Sequence, residues 1–123
     1  MRGKIGGLSK FLYLCTRNTN LYFLYPYMKK FILDLTVTEN IKLHANYVLL
    51  KLTSQSLLPE MLPGQFAELR VDGSPTTFLR RPISINFVDK QRNEVWFLIQ
   101  LIGDGTRQLG EAKAGDTVNV VLP

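Results

Sequence analysis

The chain has 123 residues and a formal charge of +5 at neutral pH, a length typical of one domain with its own core. Residues 1–27 carry four basic and no acidic residues, which leaves 11 basic and 10 acidic residues for residues 28–123. Because this longer part is almost neutral, the net charge does not predict nucleic-acid binding. One cysteine, Cys15, and one histidine, His44, give neither a disulfide framework nor a cluster of metal ligands, so we expect no metal site.

Residues 1–27 differ from the rest in composition. They contain four of the five tyrosines and follow neither the two-residue nor the 3.6-residue apolar period. We therefore predict that they form an extension outside the fold, which begins at Met28, with a membrane-binding or partner-binding arm as the alternative. The sequence RNTN interrupts the apolar run that a secretory signal needs, and no apolar run reaches the roughly 20 residues of a membrane helix. The expected location is the cytoplasm.

Residues 28–123 contain six segments with the composition of β-strands. The first two, KFILDLTVTEN and NYVLLKLTS, are rich in β-branched and aromatic residues. The third, PGQFAELRVDG, follows a Pro-Gly turn and alternates, with Ala67, Leu69 and Val71 on one face. The fourth, PISINFVD, also alternates, and we predict a shared apolar face for three of its residues: Ile83, Ile85 and Phe87.

The fifth segment, EVWFLIQLIG, is almost continuously apolar, and the sixth is DTVNVVL. Either Trp96 or Phe97 should pack in the core, and the outer face of this strand should be covered by a cofactor, a domain or a partner. One short helix is predicted at residues 106–112, TRQLGEA. Regularly spaced strands with turns between them predict an all-β fold, a six-stranded antiparallel Greek-key barrel with one short helix.

The first motif that could bind a ligand is FLRRPISI. Pro82 has no N–H, so it belongs at the start of a strand, and it holds Arg81 extended. The planar guanidinium of Arg81 suits a phosphate. Ser84 should face away from the apolar stripe and offer its hydroxyl to a ligand. The alternative is an exposed arginine pair at the end of a loop.

The second motif is GDGTRQL, in which Gly103 and Gly105 allow a ligand to approach the backbone. The helix that follows would offer free N–H groups to an anion. Asp104 would oppose an anion, so we expect it to face solvent. The alternative is an ordinary glycine turn with Thr106 as the N-cap of the helix.

The two motifs in this order resemble the FAD-binding domain of the ferredoxin-reductase superfamily, whose signature is Arg-x-Tyr-Ser. Here the signature reads RPIS, with Ile83 in place of the tyrosine. Together with LPGQF at residues 62–66, the motifs resemble one branch in particular, the electron transfer subunit of class B dihydroorotate dehydrogenase. The resemblance covers residues 28–123.

The resemblance implies a role for each matching position. Arg81 would bind the FAD pyrophosphate, while Arg80 would be a surface or partner contact. Pro82 and Ile83 would line the flavin, and Ser84 would lie near its reactive ring nitrogen. Leu98, Ile99 and Gln100 would lie beside the flavin ring or the ribityl chain. Gly105 and Thr106 would hold phosphate.

The resemblance also implies a function in pyrimidine biosynthesis, in which electrons pass between an FMN-containing catalytic subunit and NAD. In the family the barrel precedes an NAD-binding domain and a [2Fe-2S] segment, so we expect residues 28–123 to be a part that is inactive alone. One alternative is the FAD-binding barrel of a related subunit, of the sulfide dehydrogenase or hydrogenase type. Another is a non-catalytic RNA-binding barrel, for which the near-neutral sequence shows no basic face.

Overall fold

A computed structural model describes residues 30–123 of the chain. They form six strands and one helix, α1: β1 Phe31–His44, β2 Tyr47–Thr53, β3 Phe66–Leu69, β4 Arg81–Asp89, β5 Glu94–Gln100, α1 Asp104–Leu109 and β6 Thr117–Leu122. The predicted all-β fold with one short helix is confirmed. The prediction that residues 1–27 form an extension lies outside the described residues.

The strands form a closed barrel in the order β1-β2-β5-β4-β3-β6, and every pair of neighbours is antiparallel. This is the expected Greek-key arrangement, in which β2 lies beside β5 instead of β3. The long strand β1 pairs with β6 through its first half and with β2 through its second half. Register shifts in the second half bend β1, which allows it to pair with both β6 and β2. Closure leaves no open sheet edge.

The core is made by the inward side chains of alternating strand positions. In β3 and just beyond it, Ala67, Leu69 and Val71 are buried while Phe66 and Glu68 are exposed, which confirms the predicted alternation. In β5 the fully buried side chains include Phe97. Phe97 is therefore the core residue of the Trp96–Phe97 pair.

The prediction for β4 is wrong at Phe87, whose side chain is 45% exposed. A register shift between Ile85 and Phe87 marks an irregularity in the ladder with β5, and it reverses the alternation beyond Ile85. Val88 consequently packs against the core in place of Phe87. Phe87 instead contacts Trp96 on the outer face, with ring centroids 4.9 Å apart.

The outer face of β5 is partly covered by side chains of the barrel itself. The Lys51 ammonium lies 4.1 Å from the centre of the Trp96 ring, and Phe87 packs on the same tryptophan. The indole N–H of Trp96 donates a hydrogen bond of 3.0 Å to Glu94. Trp96 therefore needs no external cover, whereas Leu98, further along the strand, is 42% exposed.

Helix α1 spans Asp104–Leu109 instead of the predicted residues 106–112. Gly103, in an extended conformation, occupies the N-cap position, so Thr106 lies at the third helical position and the alternative in which it is the N-cap is wrong. Past the other end, Asn40 donates hydrogen bonds to the carbonyls of Gly110 and Ala112 at 2.9 and 2.7 Å. These bonds attach the end of the helix to β1. Across residues 30–123, no helix is both long and apolar enough to cross a membrane.

Candidate cofactor site

A pocket of about 410 Å³ opens at the rim of the barrel, where β4 and α1 both begin. Five of the nine residues predicted to bind the cofactor line it: Arg81, Pro82, Ile83, Gly105 and Thr106. The other lining residues are Thr77, Ile102, Gly103 and Asp104. We call this cavity the rim pocket. The fold thus brings together two motifs that are separated by about twenty residues in the sequence.

Arg81 is the first residue of β4 and lies opposite Leu69 of β3. This position agrees with the extended conformation that Pro82 was predicted to impose. Within residues 30–123 the guanidinium of Arg81 forms neither a hydrogen bond nor an ion pair. The pocket therefore contains a half-buried cationic fork with all its donors available to a ligand.

Gly105, in the first turn of α1, is buried beneath the side chain of Arg81. A Cβ atom added at this glycine would lie 2.7 Å from Cδ of Arg81 and 3.1 Å from the methyl group of Thr77. The aliphatic part of Arg81 therefore lies directly across the glycine. This contact joins the β4 motif to the helix motif.

Thr106 uses its hydroxyl group to hold the loop before the helix. Its Oγ1 accepts hydrogen bonds from the backbone N–H groups of Ile102 and Gly103, both at 3.1 Å, and donates one to the carbonyl of Gly103. The backbone N–H groups of the first turn have no partner inside the helix. Thr106 is therefore better placed to offer its N–H than its hydroxyl to an anion.

Asp104 is the acidic residue at the rim pocket, and its side chain is exposed, as predicted. Its carboxylate accepts a hydrogen bond from Thr76 at 3.1 Å and lies 4.0 Å from the Arg107 guanidinium. These contacts partly neutralise the carboxylate of Asp104. The residues that line the pocket carry one positive and one negative formal charge, Arg81 and Asp104, and these two form no ion pair with each other.

Arg80 differs from Arg81, because its guanidinium donates hydrogen bonds to other residues of the barrel. It donates to the backbone carbonyl of Asn119 at 3.1 Å, to the carbonyl of Glu68 at 3.3 Å and to the side-chain oxygen of Asn119. Asn119 in turn donates to Asp34 at 2.7 Å. Arg80, expected to be a surface or partner contact, is half-buried and bonds to β3 and β6.

The four other predicted site residues lie outside the rim pocket. Ser84, Leu98 and Gln100 are exposed on the outer wall of the barrel. Ile99 is fully buried, so its side chain cannot reach a cofactor, and only its backbone could. Its burial follows from strand alternation, because Ile99 shares the inner face with Phe97.

Two residues that line the rim pocket were not predicted from the sequence. Thr77 comes from the loop before β4, and Ile102 directly precedes the glycine motif. Ile102 gave no usable signal, because the apolar segment EVWFLIQLIG includes it in the predicted fifth strand, whereas β5 ends at Gln100 and leaves Ile102 68% exposed. Thr77 gave none, because its place in the pocket depends on how the loop folds back onto Gly105.

Two curated relatives of the chain carry the same name. The chain is 32% identical over 90 residues to the "Dihydroorotate dehydrogenase B (NAD(+)), electron transfer subunit" of Fusobacterium nucleatum, a match that covers 73% of this chain and 35% of the relative. It is 42% identical over 67 residues to the protein of the same name from Lysinibacillus sphaericus, covering 54% of this chain and 26% of the relative. The predicted resemblance is confirmed. The chain spans about a quarter to a third of the length of these relatives.

Solved structures support the fold. Phthalate dioxygenase reductase, described as "a modular structure for electron transfer from pyridine nucleotides to [2Fe-2S]", matches with a TM-score of 0.64 and 23% identity over 75% of this chain and 29% of that one. A ferredoxin NADP+ reductase from Neisseria gonorrhoeae, with bound FAD and NADP, matches with a TM-score of 0.56 and 16% identity over 72% of this chain and 36% of that one. The barrel therefore has the fold of ferredoxin-reductase-type FAD-binding domains. No protein-family model matches the chain.

Proposed function

We propose that residues 28–123 are the FAD-binding barrel of the electron transfer subunit of a class B dihydroorotate dehydrogenase. The observation that carries this proposal is the rim pocket, where five residues implied by the resemblance meet around a guanidinium that has no partner among residues 30–123. The 32% identity to a curated subunit of that name supports the specific branch. It also favours this function over an RNA-binding barrel.

The residues of the rim pocket fit the pyrophosphate of FAD. That group carries two negative charges, and the pocket offers the fork of Arg81 together with the N–H groups of the first turn of α1. The pocket volume of about 410 Å³ lies within the range of small-molecule sites. Because Arg81 has no carboxylate partner among the described residues, an anion can bind it without breaking an ion pair.

The flavin ring would extend from the rim pocket over the start of β4. Ile83 lines the pocket with a half-buried side chain, and Ser84 is exposed on the adjoining outer wall. Ile83 offers an aliphatic contact where the superfamily signature has tyrosine, so the ring would lose aromatic stacking at this position. The hydroxyl of Ser84 could donate to a ring nitrogen. Bound FAD would supply the redox chemistry, while these residues hold and orient it.

The rest of the function belongs to the whole protein. In the proposed subunit, NAD and a [2Fe-2S] cluster would bind to parts that residues 28–123 do not include, and an FMN-containing catalytic subunit would be the partner. The part described here, residues 30–123, contains no group of three or more residues able to hold a metal ion. The protein would act in the cytoplasm as one component of a flavin-dependent oxidoreductase, and the barrel alone would be inactive.

A titration that compares three flavins tests the cofactor assignment. FAD, FMN and riboflavin are added to the purified chain at one salt concentration, and the change in flavin fluorescence is followed. FAD should bind at least about tenfold more tightly than riboflavin, because only FAD carries the pyrophosphate that Arg81 would contact. Equal binding of FAD and riboflavin, or no binding of FAD, would contradict the proposal.

A second experiment tests the branch. The chain is co-expressed with the FMN-containing catalytic subunit of dihydroorotate dehydrogenase and, separately, with a catalytic subunit of the sulfide dehydrogenase or hydrogenase type. The proposal expects a stable complex with the first only. A complex with the second, or high-affinity binding of a single-stranded RNA in a parallel assay, would support one of the alternative functions instead.

A further inference from the structure

We propose that Gly105 is a positioning residue: the absence of a side chain at this position allows the stem of Arg81 to cross the first turn of α1 and fixes the direction of its guanidinium. The proposal rests on the proposed function, because the guanidinium so directed is the one assigned to the pyrophosphate. It concerns the space at Gly105, which differs from a direct bond between the backbone of this residue and a phosphate.

Space, and not backbone conformation, explains why glycine stands at this position. The glycines with a positive φ among the described residues are Gly64, Gly73 and Gly115, so Gly105 has a backbone that other residues can adopt. Gly105 is the second residue of α1, a position whose backbone does not require glycine. The reason for a glycine here is therefore spatial, and the 2.7 Å between an added Cβ and Cδ of Arg81 provides it.

The neighbouring Gly103 provides a contrast. A Cβ atom added at Gly103 would meet nothing within 4 Å, and its extended backbone is open to any residue. At Gly105, the same addition would meet Cδ and Cγ of Arg81 at 2.7 and 3.2 Å and the methyl group of Thr77 at 3.1 Å. Only the second glycine of the motif is therefore required by a contact.

The contact matters because little else directs the Arg81 side chain. In residues 30–123 no hydrogen bond or ion pair holds its guanidinium, so the packing of its stem against Gly105 determines where the charge points. An alanine at position 105 would push the stem away from the helix. The charge would then move away from the N–H groups with which it would share an anion.

A double-mutant cycle tests this inference. We compare the parent with Gly105→Ala, Arg81→Ala and the double variant, and use Gln108→Ala, on α1 outside the rim pocket, as the control, measuring FAD affinity by flavin fluorescence and Tm by circular dichroism. Gly105→Ala should weaken FAD binding about tenfold and Gln108→Ala should change it less than about twofold. In the Arg81→Ala background, Gly105→Ala should have no further effect, because the side chain it displaces is gone.

Each outcome bears on the inference. If Gly105→Ala weakens FAD binding equally with and without Arg81, the alanine obstructs the cofactor directly and the positioning role is wrong. If Gly105→Ala fails to fold, the double variant should recover the Tm, because the collision is with Arg81. A double variant that stays unfolded would overturn the proposal.

The inference can also be tested without FAD. In the cofactor-free chain, the NMR resonance of the Arg81 Nε–H should shift in Gly105→Ala and stay unchanged in Gln108→Ala, the control on the same helix outside the rim pocket. If the parent binds no FAD, the proposed function fails while this measurement still decides the positioning role. Equal shifts in the two variants, or none, would overturn the role even where FAD binds.

Discussion

Arg80 and Arg81 are adjacent in the sequence, yet they belong to two regions with opposite organisation. Arg80 lies at what we call the seam, the junction of β1, β6 and β3 formed by Asp34, Asn119, Glu68 and Arg80. There its guanidinium reaches a carbonyl of β3 and both the carbonyl and the side chain of Asn119. At the rim pocket, the guanidinium of Arg81 makes no such bond within residues 30–123.

From this difference we propose a structural role for Arg80 and a binding role for Arg81. A satisfied guanidinium contributes to stability, because its removal leaves acceptors without partners. An unsatisfied guanidinium in a pocket contributes to ligand affinity, because a ligand anion can supply the missing acceptors. Mutations should therefore lower stability at the seam and cofactor affinity at the rim pocket.

The largest effect on stability is expected in the core that supports both regions. Phe97 is fully buried in β5, and Phe97→Ala should lower the free energy of unfolding by about 3 to 5 kcal/mol through lost transfer energy and the cavity left behind. Urea denaturation measures the loss, and Leu98→Ala, at a largely exposed neighbour, is the control. Equal losses at the two positions would mean that the strand register is wrong.

The next effect concerns the rim pocket and should appear in affinity only. Arg81→Ala should weaken FAD binding by about ten- to a hundredfold, which corresponds to roughly 1.5 to 3 kcal/mol, while the Tm changes little. Arg81→Lys should also weaken binding, because a point charge cannot reproduce the planar fork. Fluorescence titration at one salt concentration gives the values, and a variant that binds FAD as tightly as the parent would exclude Arg81 as the anchor.

The converse is expected at the seam. Arg80→Ala should lower the free energy of unfolding by about 1 to 2 kcal/mol, because it removes hydrogen bonds to β3 and β6. FAD affinity should change less than about threefold, well below the effect at Arg81. Arg92→Ala, at an exposed arginine in the turn between β4 and β5, serves as the control for loss of charge. A larger loss of affinity at Arg80 than at Arg81 would reverse the comparison.

The sequence could predict what depends on local pattern. The alternation of Ala67, Leu69 and Val71 determined the inner face of β3, and Pro82 determined where β4 begins. The pattern failed at Phe87, because the apolar alternation of PISINF continues through a position where the ladder with β5 shifts. The shift brings Phe87 onto Trp96, a contact between strands that no local rule specifies.

The role of each arginine could be predicted only in part. The proline after Arg81 is a local signal, and it agrees with the position of Arg81 at the start of β4. The partner of Arg80, Asn119, is 39 residues away, and nothing in either segment indicates the pairing. The reason for Gly105 is likewise remote, because it depends on the side chain of a residue in β4.

The smallest effect is expected from removing residues 1–27. Their composition separates them from the barrel, and we propose that they are not part of it. The ring of strands closes with β1 beginning at Phe31, and every core side chain identified comes from residue 33 or later. A variant that starts at Met28 should therefore keep the Tm of the parent within about 2 °C and retain FAD affinity, since a change of 1 kcal/mol would move the Tm of such a domain by about 4 to 8 °C.

As the control, a variant that starts after Leu35 should fail to fold, because it loses the pairing of β1 with β6 and the buried Leu35 itself. A large fall in Tm on removal of residues 1–27 alone would show that they belong to the fold, and would move the boundary of the domain toward the start of the chain.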